Sequence, residues 1–168
     1  MNYSLATHLA STMGPAALLE TASVVSLGLL SGALLIESVV LVPYWRTLSS
    51  EEFGAHHRGF SGRLYPFFAP LTTIAVALAL MSGLRQLWAG YREAAGGWLT
   101  FSGSALAVSL LAFYGLYFRT ANIRLPEVAR AGSQSQLDAA LRQWHQVHWV
   151  RTTVSLIGLV LMTLGLTY

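Results

Sequence analysis

Residues 142–151 read RQWHQVHWVR and run directly into TTVSLIGLVLMTLGLTY, residues 152–168. The second stretch is apolar and long enough to supply most of a membrane span, since a hydrocarbon core of about 30 Å needs ~20 helical residues. The first places two tryptophans, two histidines and two arginines at the mouth of that span. Ionisable groups are costly at membrane depth, so their position there marks both the fold and a site.

Working outward, three more apolar segments appear. Pro15 to Tyr44 is apolar apart from Glu20 and Glu37, and its GLLSG at 28–32 has the small-xxx-small spacing (Gly28, Gly32) that allows close helix approach. Leu64 to Trp88 opens with YPFFAP, where Pro66 and Pro70 fit the first turn of a helix. Trp98 to Phe118 carries Tyr114 and Tyr117 as interfacial aromatics. The pattern predicts spans near 16–44, 64–89, 98–119 and 147–167 in a single integral membrane domain covering 1–168. The expected fold is all-α, a four-helix transmembrane bundle. Residues 1–19 have no Lys or Arg and the first apolar segment is too long for a signal h-region, so it is expected to be retained. Ser49 with Glu52, and Leu48 with Phe53, predict a short amphipathic helix at 50–58 in the first connection. Ser133 with Gln136, or Ser135 with Asp138, predicts a cap for a fourth helix that projects two or three turns beyond the membrane. YREAAGG (91–97) reads as a turn, and NIRLPEVARAGSQSQ (122–136) as a connector.

Only 10% of residues are charged, against about a quarter in soluble domains, so the lipid bilayer is the expected surroundings. All ten basic residues are arginine and the net charge is +3, scattered along the chain, which excludes nucleic acid as a partner. With no cysteine, any metal must be held by nitrogen and oxygen. Arginines concentrate in the first and third connections, which the positive-inside rule places in the cytoplasm, in an inner or plasma membrane. A homo-oligomer is compatible with this pattern.

Four spans bring the end of helix one, the end of helix three and the start of helix four to one side of the membrane. Glu37 precedes Tyr44 by seven residues, which places it roughly 10 Å below the interface. Trp144, His148, Arg151 and Ser155 share one helical face, flanked by His145. Asn122 leaves helix three at that level, and His56 and His57 lie on the first connection above it. His8 is on the other side and is a bystander. Bland readings stand beside this convergence: Glu37 and Arg151 as a structural ion pair, Trp144 and Trp149 as interface anchors, Gly28 and Gly32 as packing.

Two chemistries suit these residues. Glu37, His145 and His148, with His57 as a fourth ligand, would hold copper, iron or zinc with open positions for dioxygen. Without a metal, Glu37 or His148 would take a proton from a phenol or hydroquinone, while Arg151 and Asn122 stabilise the oxyanion. Tyr44, Tyr117, Trp144 and His57 would contact the lipophilic substrate, His57 from a lid.

The stretches IESVVLVPYWRTLSSEEF (36–53), RLYPFFAPLT (63–72), TANIRLPEV (120–128) and WHQVHWVRTTVSLIG (144–158) carry a resemblance. Together they look like the anthrone-oxygenase-like family of small four-helix integral membrane proteins, from about Gly28 onward. On its Asn and W-x-x-x-H-x-x-R pattern, Asn122, Trp144, His148 and Arg151 carry over, whereas Arg124-Leu125-Pro126 departs from a Pro-Leu-Asn-like run. The resemblance implies oxidation of anthrones to anthraquinones by dioxygen. The expected function is therefore a membrane oxidase or oxygenase acting on a small phenolic, anthrone-like or quinol-like compound. The alternatives are a proton-coupled carrier of small molecules or ions, and a non-catalytic accessory subunit.

Overall fold

The computed structural model describes residues 14–88 and 95–168, and every regular element among them is helical. Helix α1 is Pro15–Trp45, α2 is Ser50–Trp88, α3 is Ala95–Ala131 and α4 is Gln134–Gly165. Each contains a segment long and apolar enough to cross a membrane, so the chain is an all-α, multi-pass membrane protein. The expectations for residues 1–13, including His8, and for the turn as far as residue 94 lie outside the described residues. Ala95–Gly97 already belong to α3.

Both capping boxes form. Ser49 N donates to Glu52 Oε2 at 2.8 Å, and Glu52 N donates to Ser49 Oγ at 3.3 Å. At the start of α4, Ser133 Oγ accepts from Gln136 N, while Ser133 N donates to Gln136 Oε1 at 2.8 Å. Gln134 then ties α4 to the α1–α2 turn, accepting from Ser50 N at 2.8 Å and donating to Leu48 O at 3.2 Å.

The helix of the first connection does not end before the membrane. It runs on as α2 for 39 residues, with Pro66 and Pro70 in its interior rather than at its start. One inward stripe explains the continuity: Phe53, Phe60, Leu64, Phe68, Ala75 and Ala79 recur at helical spacing and pack into the core along the whole length. Burial along that stripe offsets the amide donors the prolines lack. The same logic extends α3 through Pro126, where a connector was expected. Phe118, Leu125 and Ala129 follow at i, i+7 and i+11, all buried.

Two helices change pitch. Glu37–Leu41 in α1 and Tyr114–Phe118 in α3 are π-helical turns. The first immediately precedes Val42 and Pro43, whose ring would crowd a carbonyl one turn back; widening the turn relieves that clash. The second contains Gly115 and has no following proline within its turn. Bulges of this kind recur at functional sites.

Close backbone approach involves different glycines from those expected. A Cβ on Gly32 would meet nothing within 4 Å, and one on Gly28 would make ordinary contact with Leu159 at 3.7 Å. The tight seam is between α3 and α4. There a Cβ on Gly103 would lie 2.6 Å from Met162 Cγ and 2.7 Å from Gly158 O.

Candidate functional site

At the end of the bundle bearing the α1–α2 and α3–α4 connections lies a partly open cavity of about 640 Å³, a size typical of small-molecule sites. All four helices line it. Glu37 and Trp45 come from α1, His57 with the stripe Tyr65, Phe68, Ala69 and Thr72 from α2, Tyr114, Phe118 and Asn122 from α3, and Trp144 and Arg151 from α4.

The two histidines of α4 explain how Glu37 is presented. Within a π turn the i→i−4 ladder slips, which leaves backbone carbonyls accessible to neighbouring side chains. His148 Nε2 lies 3.1 Å from Leu34 O and His145 Nε2 lies 3.0 Å from Ser38 O. A carbonyl only accepts, so both rings donate from Nε2. The i, i+3 spacing on α4 thus grips α1 on both sides of Glu37, at Leu34 before the π turn and at Ser38 within it, and the hydroxyls of Ser38 and Thr152, 3.0 Å apart, add a third point. The grip leaves Glu37 on the cavity wall, 6% exposed, with Oε2 3.6 Å from His148 Nε2.

Above Glu37 the aromatic side chains interlock. Trp144 stacks on His148 with ring centroids 4.7 Å apart and planes at 17°, and Phe118 meets both rings edge-on. Trp144 Nε1 donates to Asn122 Oδ1 at 2.8 Å, which orients the amide and leaves Nδ2 as a donor on a cavity-lining residue. Trp45 packs edge-on against Trp144 at 5.9 Å.

Arg151 is 8% exposed, and its guanidinium carbon stands 5.0 Å from the centre of the Phe118 ring. Among the described residues Arg85 pairs with Glu20, at the far end of the bundle, and the other carboxylate contact is that of Glu37 with the His148 ring. Arg151 therefore has no carboxylate within ion-pair distance, and its Nε is buried without a hydrogen-bond partner, as is His148 Nδ1. The alternative reading of Glu37 with Arg151 as a contacting ion pair is not what the structure has; both residues line one cavity.

Several expected site residues sit elsewhere. Tyr44 is half exposed and meets His56 edge-on outside the cavity. Tyr117 packs on Phe118 and the head-end core rather than lining the space. His145 is absent from the lining because its ring is committed to Ser38 O. The four metal donors do not assemble: among the described residues no three of His, Cys, Asp or Glu come together as a metal site. Both Nε2 atoms are taken up as donors to α1 carbonyls, and the remaining ligand atoms, Nδ1 of each ring among them, do not gather around one point. Trp144, expected as an interface anchor, is 4% exposed inside the bundle, whereas Trp149, 38% exposed, occupies an anchoring position.

His57 does line the cavity, tilted against Phe53. Burial, and secondarily the neighbouring His56, holds its imidazole below the usual histidine range. The sequence reading missed Trp45, Phe118 and Arg119, and also the α2 wall. The wall had a signal, since Tyr65, Phe68, Ala69 and Thr72 follow i, i+3, i+4, i+7. No family description, curated protein or solved structure matches this chain.

Proposed function

We propose that the protein is a membrane oxygenase that needs no metal and oxidises a small, flat, lipophilic CH-acid or phenol of the anthrone type with dioxygen. The observation that carries this reading is the cavity shared by a buried carboxylate, 3.6 Å from a histidine, and a buried arginine that no carboxylate contacts at ion-pair distance. A base facing a fixed cation in a dry site suits proton removal from a carbon or oxygen acid, because the cation stabilises the anion as it forms. Glu37 takes the proton, backed by His148. Arg151 and Asn122 Nδ2 hold the resulting oxyanion. The electron-rich anion gives an electron to dioxygen and the two radicals combine to a hydroperoxide. Loss of water then turns the substrate CH2 into C=O, with one oxygen atom in the product and one in water. The resemblance in the Asn122, Trp144, His148 and Arg151 pattern supports the same assignment. In this reading the first and third connections face the cytoplasm, as the arginine distribution favours.

The test is oxygen uptake by purified protein in lipid nanodiscs supplied with anthrone. One dioxygen per anthraquinone is expected, with a loss of about 10²–10⁴-fold in Glu37→Gln and about 10²-fold or more in Arg151→Met. Uptake that matches empty nanodiscs, or that survives Glu37→Gln, overturns the proposal. A carrier reading draws on the paired hydroxyls below the site, Ser38 with Thr152 and Ser31 with Ser155 at 2.7 Å, which continue a polar path between α1 and α4. Proton-coupled uptake into vesicles without product would favour it.

A further inference from the structure

We infer that the cavity is filled from the bilayer, through a side opening between α2 and α3, and that its ligand is a membrane-dissolved flat aromatic weak acid. This rests on the reading above for the ligand's acidity but not for its route. The route follows from which lining residues are covered. Along α1 and α4 the lining is closed: Glu37, Trp45, Trp144 and Arg151 are all buried. The exposed lining residues all lie on α2 and α3, from Arg119, Asn122 and Ile123 (60%) near the connections, with Tyr65 (66%) opposite, down to Thr73 and Leu111 (47%) inside the apolar segments. A molecule arriving over α1 or α4 meets tryptophan; one arriving along the α2–α3 gap, which continues to Leu111 at lipid depth, meets an opening.

The chemistry of the walls selects the occupant. Phe68, Phe118 and Trp144 present ring faces and edges that favour a planar aromatic body. Arg151, nine-tenths buried and without an anionic partner, fixes one acidic oxygen at the inner end. A cavity of about 640 Å³ accommodates a few fused rings but not a phospholipid with two acyl chains.

The chain has no cysteine, so a single engineered thiol reports the opening directly. Leu111→Cys, and separately Glu51→Cys as an exposed control at the start of α2, are placed in lipid nanodiscs and treated with pyrene maleimide or with a charged maleimide. Cys at 111 is expected to react with the lipophilic reagent and at least about tenfold more slowly than the control with the charged one. Anthrone under nitrogen is expected to protect position 111 and not position 51. Attaching pyrene at 111 is then expected to slow the quenching of tryptophan fluorescence by anthrone about tenfold or more, since access rather than final contact is blocked. Equal reaction with the charged reagent at both positions, or unprotected labelling at 111, overturns the inference. Protection without oxygen uptake would leave the route standing and remove the oxygenase reading. Oxygen uptake unaffected by the pyrene would do the reverse.

Discussion

Arg151→Met separates a site cation from a structural one, because the two roles predict opposite signs. A charged side chain at the centre of a membrane helix costs about 2.5–3.5 kcal/mol on insertion scales. Arg151 recovers part of that through the Phe118 ring at 5.0 Å, an interaction worth ~1–2 kcal/mol when desolvated. No carboxylate approaches within ion-pair distance, and Glu37 attracts Arg151 only across the cavity. Methionine keeps an unbranched apolar stem without the charge, so the variant should be more stable than the parent by at most about 0.5–2.5 kcal/mol, the difference between those two figures. If Arg151 were instead the partner of Glu37, its removal would strand a buried carboxylate and cost about 3–5 kcal/mol. Binding should move the other way. Losing a charge-assisted contact to an oxyanion costs about 1.5–3 kcal/mol, so anthrone should bind ~10- to 150-fold more weakly under nitrogen. Anthracene, which has the rings without the oxygen, should bind almost unchanged. Equilibrium unfolding in detergent micelles and tryptophan quenching by the two compounds measure the pair of effects. A destabilised variant, or an equal loss for both ligands, refutes the assignment of Arg151 as an anion-holding residue.

Gly103→Ala should destabilise the bundle by about 1–3 kcal/mol through overpacking, since its Cβ would sit 2.6 Å from Met162 Cγ. Gly32→Ala, with open space at that Cβ, should be neutral or slightly stabilising in the same unfolding experiment. Ser133→Ala removes the hydroxyl half of the α4 capping box and should cost ~1 kcal/mol, visible as increased amide exchange over the first turn of α4. The folded state favours neutral His57, whose ordinary value is 6.5, so the unfolded chain binds the extra proton. Stability should be intact above about that pH and fall as pH drops through it, and His57→Phe should flatten this part of the profile measured by thermal unfolding.

The bundle was legible because lipid imposes length and composition on every span, and a 10% charged chain can hardly hide four apolar segments. Capping boxes were legible for a similar reason, since Ser49 with Glu52 and Ser133 with Gln136 act over three residues and need no tertiary help. The sequence predicts a break between a helix at 50–58 and a span from 64, and an end to the third span near 119, because proline and polar residues act locally as helix boundaries. In the folded chain, burial of Leu64 and Phe68 in α2, and of Leu125 and Ala129 in α3, outweighs them. Glu37, His148, Arg151 and Asn122 came together as parity and helical phase required. What phase could not reveal was ring orientation: which nitrogen of each imidazole carries the proton is set by the α1 carbonyl that the ring faces.

That change of pitch links the fold to the chemistry. Leu34 O, in the α-helical turn before Glu37, accepts from His148 while still bonded within α1, and Ser38 O, inside the π turn, accepts from His145. Both Nε2 donors are thereby satisfied, and one residue is inserted into the helical repeat at Glu37. The insertion rotates everything before it relative to Pro43 and Trp45, so the carboxylate and Trp45 line the same cavity. Histidine at 148 is therefore not replaceable by a residue that merely fills its volume. It donates to Leu34 O, stands 3.6 Å from the Glu37 carboxylate and supports the Trp144 ring that orients Asn122. These tasks reach α1, α3 and α4, and the side chain that joins them is buried completely. A site built this way places a base, a cation and an amide around one space before any ligand arrives, which is the preorganisation that charge development in a low-dielectric setting requires.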